Sequence, residues 1–335
     1  MISDRVRESL RSELRRSLMA KIGLVLVVTV FLTATFAPFL AVQDPTAQSL
    51  GDANEPPFGV TQTVEQFERV DGERQTVERT TSGTLDHPLG TNAVGQDMYS
   101  RILFGARTSL LVGIVGTTLA LVSGVAVGMA AGYYGGRTDD ALMRFADIML
   151  AFPALVLAIS LIGLFGPFAI RIPDPFVAAG LVSDMPESFA FPVTLTLVVA
   201  LVNWVWFARV ARGEALSVKE KNYVKASRSL GASDARLVLK HVLPNSLTPI
   251  IVLGTVQVAV IILLESSLSF LGFSGTTLSW GFDIAQGRDR LATSWWIASM
   301  PGLAIVVTVV GINLVGDWLR DALDPDIEGD RGGGM

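Results

Sequence analysis

Hydrophobic positions gather into six long apolar runs, near 21–42, 108–132, 145–166, 190–208, 247–270 and 296–319, separated by polar or charged connections. Each approaches the roughly 20 residues a helix needs to cross about 30 Å of hydrocarbon. The pattern predicts an all-α polytopic membrane protein with six transmembrane helices. Ahead of the first run, within residues 1–20, Val6, Leu10, Leu14 and Leu18 recur every four residues among arginines and glutamates. That spacing suits an amphipathic helix lying on a membrane surface, and a solvated tail fits the same residues. The first run follows basic residues, as a secretory signal would. It exceeds the roughly 7–15 apolar residues of a signal core, and so reads as a retained anchor.

Inside the second run, Gly116, Ala120, Gly124, Gly128 and Gly132 place a small residue every four positions, a stripe along which another helix can approach closely. The third run opens with Arg144 and Asp147 at i, i+3, a spacing that allows a local ion pair, and contains Phe152-Pro153. Before the five-helix core at 108–320 lies a long connection, 43–107. In it "VTQTVEQFERVDGERQTVERT" sets β-favouring residues on both sides of Asp71-Gly72, the signal of a hairpin with a two-residue turn. A charged, disordered insert would have the same composition.

Composition agrees with a membrane location. Half of the residues are hydrophobic and only 17% are charged, too apolar a balance for an ordinary soluble domain. Basic residues concentrate in the tail before the first run (Arg5, Arg7, Arg11, Arg15, Arg16, Lys21) and in the loop 209–246 (Arg209, Arg212, Lys219, Lys221, Lys225, Arg228, Arg236, Lys240). Basic segments resist translocation, so both belong in the cytoplasm. Six spans then put both termini there and leave 43–107 outside the cell membrane. Acidic residues crowd that outer loop and the tail 321–335, giving a net charge of −5. Solvated faces and adaptation to high salt both fit them.

The loop 209–246 has internal punctuation. Ser217 followed by Glu220 has the form of a capping box that starts a helix. Gly231 is placed to end it, Ser233 with Asp234 to start another, and Pro244 to stop the second. Leu216, Tyr223, Ser227 and Leu230 share a face among the lysines. Such a helix suits a groove on another protein, and it equally suits anionic headgroups at an interface.

Lys225-Ala226-Ser227, then three residues, Gly231, nine residues, His241, one residue and Leu243-Pro244 resemble the coupling segment of ABC importer permeases. That segment runs Glu-Ala-Ala, three residues, Gly, nine residues, an aliphatic residue, one residue, Leu-Pro. The spacings match, while Lys225, Ser227 and His241 depart from the pattern. "HPLGTNAVGQDMYSRILFGARTSL" (87–110), "AGYYGGRTDDALMRFADIMLAFP" (131–153), "ARGEALS" (211–217) and "ESSLSFLGFSGTTLSW" (265–280) extend the resemblance to the dipeptide/oligopeptide/nickel branch, C-type. Together these segments carry the resemblance over most of the chain outside the 48–84 insert. The resemblance implies a type I importer permease fold that moves a peptide or related small solute by alternating access. It further implies a B-type permease partner, two cytoplasmic ATPase subunits that use ATP and Mg, and an extracytoplasmic substrate-binding protein. Tyr223, Lys225, Ala226, Ser227, Leu230, Gly231, Ala232, Leu243 and Pro244 become the candidate ATPase-coupling residues. No nucleic-acid partner is expected.

Catalytic chemistry finds no support in the chain. There is no cysteine, no Gly-x-x-x-x-Gly-Lys-Ser/Thr phosphate loop and no His-Glu-x-x-His. His87 and His241 lie far apart and read as packing or capping residues, so no metal and no cofactor is assigned to this chain. Glu265, beside Ser266 and Ser269, is the ionisable group deepest in an apolar run. It is a candidate for the translocation path, or for a structural hydrogen bond. Asn203, Gln257 and Asn313 are expected to bond between helices. An ion-driven transporter or an intramembrane enzyme would need paired intramembrane acids or catalytic residues, and neither is found.

Overall fold

A computed structural model describes residues 4–70 and 73–323. Helix α1 (Asp4–Arg16) passes through Ser17 into α2 (Leu18–Thr35), and α3 (Ala37–Leu40) follows. The Ser17 hydroxyl caps α2 by accepting from the Ala20 amide at 3.1 Å. Strands β1 (Thr61–Val70) and β2 (Glu73–Ser82) pair antiparallel with Val70 opposite Glu73, so the insert is a hairpin. Its turn residues Asp71 and Gly72, and the acidic tail beyond Leu323, lie outside the described residues. Helix α4 (Met98–Tyr134) has 37 residues and starts well before the expected 108. The Asp97 carboxylate caps it, accepting from the Ser100 amide at 2.7 Å and meeting His87 Nδ1 at 3.3 Å.

The third run is not one straight span. Helices α5 (Gly136–Ala151) and α6 (Ala154–Phe165) meet at a bend of 91°. Pro153 lacks an amide hydrogen and disfavours helical backbone in the residue before it, and Phe152 is accordingly extended (φ −89°, ψ 136°). Among the described residues, five helices are each long and apolar enough to cross a membrane, and six crossings result if the bent pair counts as one span. The chain then forms a small unexpected ribbon, β3 (Ala169–Pro173) and β4 (Ser188–Pro192), with α7 (Pro175–Ala178) between the strands.

Helix α8 (Val193–Lys219) runs eleven residues past the expected end of the fourth span. It is followed by α9 (Asn222–Ser229), α10 (Asp234–Leu237), a π turn at Val238–Val242 and α11 (Leu243–Asn245). Helix α12 (Leu247–Phe270) keeps the expected bounds of the fifth span. The short α13 (Trp280–Gly287) and the long α14 (Trp296–Leu323) complete the order. The basic loop therefore joins α8 to α12 at one end of the bundle, and the β1–β2 hairpin connects elements at the other.

The small-residue stripe of α4 is the seam against α8. A Cβ on Gly124 would stand 2.3 Å from the Trp204 carbonyl oxygen, one on Gly128 2.2 Å from that of Ala208, and one on Gly132 2.6 Å from that of Arg212. Ala208, Ala211 and Ala215 answer from α8, fully buried. Close backbone approach replaces interdigitated large side chains here, as expected where lipid gives no hydrophobic drive to helix pairing.

Two buried arginines of α4 tie the hairpin end together. Arg101 donates to Asp283 Oδ1 of α13 through Nε at 2.8 Å and Nη2 at 2.6 Å, and to Gln96 and the Pro45 and Thr277 carbonyls. Arg107 pairs with Asp174, the N-cap of α7, and reaches the carbonyls of Ala34 at 2.6 Å and Thr35 at 2.8 Å. Multiple acceptors around each guanidinium offset the desolvation of its charge.

Candidate functional site

The basic loop is built in a different register from the expected one. The Ser217/Glu220 pattern starts no helix: Ser217 lies inside α8 and Glu220 is its C-cap, while α9 begins at Asn222. Helix α8 continues because Ala211, Ala215 and Val218 are buried beside α4 and α5, and that packing outweighs a local capping signal. Glu220 instead accepts from Lys225 Nζ at 2.8 Å, and the ammonium holds its carboxyl below the usual carboxylate range. Both groups are exposed. Lys225 thus replaces the family acid with the opposite half of a local ion pair.

Gly231 ends α9 as expected. Its φ is +84°, a left-handed conformation that glycine adopts at little cost. The Gly231 amide donates to Arg228 O at 3.0 Å and that of Ala232 to Ser227 O at 3.2 Å, closing the helix end. Ser233 is the N-cap of α10 by backbone position, with no side-chain cap bond. Pro244 does not stop the chain's helical course but enters the first turn of α11, directly after the π turn. The wider turn leaves room for a residue that cannot donate to the ladder.

Among the coupling candidates, Tyr223, Ala226 and Leu230 stand at i, i+3 and i+7 on the exposed side of α9, with Leu230 88% exposed. Leu216 belongs to α8 and does not join them. Lys225, Gly231 and Pro244 are exposed as well, and Ser227, Ala232 and Leu243 are half-buried. Beneath this surface, buried Val224, Leu237 and Val242 join the core cluster that includes Tyr133, Ala215 and Val218. The loop has one apolar face in the bundle and another left open.

Polar bonds fasten the loop's base. Arg212 grips Asp139 of α5 with two bonds, of 2.5 and 2.7 Å. Asp147 pairs with Arg209 of α8 at 2.6 Å, a partner 62 residues away, in place of the local Arg144. Lys219 Nζ donates to the Gly132 and Tyr133 carbonyls at 2.6 and 3.4 Å. The Tyr133 hydroxyl donates to Asp234 Oδ1 at 2.5 Å and accepts from Arg228 Nη2 at 2.9 Å. Arg228 also lies over the Tyr133 ring, 5.3 Å from its centroid. Tyr133 had no signal in hydrophobic periodicity, because its role depends on a loop about a hundred residues downstream.

The translocation-path candidates are placed differently. Glu265 and Ser269 have no exposed surface and Ser266 only 7%. Glu265 accepts from Ser109 at 2.8 Å, Ser269 at 2.7 Å and Ser266 at 3.2 Å, so the group joins α12 to α4 within the subunit. Among the described residues, the three amides expected to bond between helices are placed as follows. Asn203 donates to Val199 of its own helix, Gln257 Nε2 has no partner among the described residues, and Asn313 is exposed. No cluster of metal-ligating side chains occurs among the described residues, and His241 lies against Tyr223 with ring centroids 6.3 Å apart.

Comparison with known proteins agrees with this arrangement. Residues 124–329 match the family described as binding-protein-dependent transport system inner membrane component. Residues 7–57 match the N-terminal TM domain of oligopeptide transport permease C. A putative peptide transport system permease protein of Brucella suis is 36% identical over 92% of this chain and 88% of its own. The di/tripeptide transport system permease protein DppC of Pseudomonas aeruginosa is 33% identical over 91% of this chain and 88% of its own. The oligopeptide transport system permease protein OppC of Bacillus subtilis is 32% identical, covering 93% and 87%. A solved inward-facing MetNI methionine ABC transporter chain superposes with a TM-score of 0.52 over 68% of this chain and 98% of that chain, at 16% identity, a likeness of fold.

The fold and the tethered loop define a multi-pass membrane protein of the permease class. The chain belongs to the family of inner membrane components of binding-protein-dependent transport systems.

Proposed function

We propose that the chain is the C-type permease of an ATP-driven importer for peptides or a related small solute, with its basic loop docked on an ATPase subunit. It pairs with a B-type permease, two cytoplasmic ATPases and an extracytoplasmic substrate-binding protein. Both termini and the basic loop face the cytoplasm, and the β1–β2 hairpin faces out. The observation that carries this reading is the open face of Tyr223, Ala226 and Leu230 on a loop pinned from below by Arg212, Lys219 and Arg228. An exposed apolar stripe on a rigid base suits a groove in another protein. Docking drives alternating access only if the loop binds the open and closed ATPase states with different affinity.

Co-purification with candidate ATPases tests this. The wild-type chain is expected to retain an ATPase and to import solute at the expense of ATP. Gly231→Pro fixes φ near −65° and removes the amide bonded to Arg228, so coupled transport is expected to be lost while insertion persists. Lys225→Glu breaks only an exposed pair, so thermal stability is expected to stay at the wild-type level, and any change in ATPase retention then measures charge at the docking face. Transport that persists with no ATPase bound would overturn the proposal.

A further inference from the structure

We infer that the Tyr133 hydroxyl is the positioning group through which movement of the docking loop reaches α4, an inference that rests on the proposed ATPase docking. Tyr133 is the penultimate residue of α4 and is buried. Its hydroxyl serves two partners in opposite senses, donating to Asp234 at the start of α10 and accepting from Arg228 in the last turn of α9. These partners flank Gly231. The backbone bonds at that hinge, from Gly231 to Arg228 and from Ala232 to Ser227, all return to α9, and none reaches α10. No heavy atom lies within 4 Å of where a Gly231 Cβ would be, so the hinge itself is open, while buried Val224 of α9 and Leu237 of α10 pack into the core beneath it. Above that packing, one phenolic oxygen is the polar group that bonds both short helices to the end of a membrane-spanning rod.

The backbone at the same place is tied to α8. Lys219 Nζ donates to the carbonyls of Gly132 and Tyr133, and the seam at Gly132 holds α4 against Arg212 and Ala215. Helices α8, α9 and α10 thus converge on the last turn of α4. Displacement of α9 by a docked partner is passed to α10 and α4 together while the hydroxyl holds both short helices. Phenylalanine at this position keeps the ring, and with it the contact under Arg228, but removes both hydrogen bonds.

The test uses Tyr133→Phe in the complete transporter reconstituted in liposomes, with two readouts. The first is solute imported per ATP hydrolysed. It is expected to fall about tenfold while hydrolysis and ATPase retention stay near wild type, because charge-assisted hydrogen bonds of this kind govern the rigid connection. The second is amide hydrogen exchange over residues 222–237, expected to accelerate about tenfold as the loop opens locally. Asp234→Asn keeps an acceptor oxygen for the phenol and is expected to retain most of the import ratio that Asp234→Ala loses. Wild-type values of both readouts in Tyr133→Phe would overturn the inference, as would import and hydrolysis falling together in proportion to folded complex. If the wild-type chain holds no ATPase, it is the docking proposal that fails. The exchange comparison, which needs no ATPase, then decides separately whether Tyr133 fixes the loop.

Discussion

Gly128→Val is expected to deplete folded protein from the membrane. A Cβ alone would meet the Ala208 carbonyl oxygen at 2.2 Å and the Ala211 Cβ at 2.8 Å, and neither neighbour is a flexible side-chain end that could swing away. Helices α4 and α8 would have to separate along the seam, which also opens the adjacent contacts at Gly124 and Gly132. Overpacking of this kind costs about 3 kcal/mol, a large share of a typical stability margin. The thermal midpoint and the yield of monodisperse detergent-solubilised protein measure the effect. Gly163→Ala is the control, since nothing lies within 4 Å of its Cβ position, and it should leave both values unchanged. A wild-type midpoint for Gly128→Val would show that the two helices are not packed at this distance.

Arg101→Met is expected to be comparably damaging for an electrostatic reason. It leaves Asp283, with no exposed surface, without its charged partner among the described residues, where Asp283 Oδ2 already lacks a hydrogen bond. Removing one member of a buried pair typically costs about 3–5 kcal/mol, more than removing both. The double variant Arg101→Met/Asp283→Leu is therefore expected to recover at least half of the lost midpoint. A double variant no better than the single one would mean that the other bonds of Arg101, to Gln96, Pro45 and Thr277, hold this end of the bundle together.

These two sites differ in how far they could be read in advance. The glycine stripe repeats every four residues in one segment, and the repeat itself reports a helix face. The Arg101–Asp283 pair joins positions 182 residues apart, and nothing near either residue names the other. The same divide runs through the loop. Gly231 was legible because a left-handed residue at a helix end favours glycine through its own backbone. The Ser217/Glu220 signal was equally local and misled, because burial of Ala211, Ala215 and Val218 extended α8 through it. Pro153 stands where the third run breaks, but the unbroken hydrophobicity of 145–166 read as one span, and the 91° bend required the fold. Glu265 could be recognised as an unusual charge at depth. That Ser109, from another helix, would close over it required the fold.

The length of α4 has a mechanical consequence. At about 1.5 Å per residue, its 37 residues form a continuous rod of about 55 Å, well beyond the roughly 30 Å of hydrocarbon. It is capped by Asp97 at one end and gripped by the loop through Tyr133 at the other, with no proline inside it. A rod pivoting near its middle is a seesaw: a tilt of about 5° carries each tip about 2.4 Å, and in opposite directions. A push on the basic end is therefore also a pull at the hairpin end, so a single stiff helix can narrow one mouth of the bundle in the same stroke that widens the other.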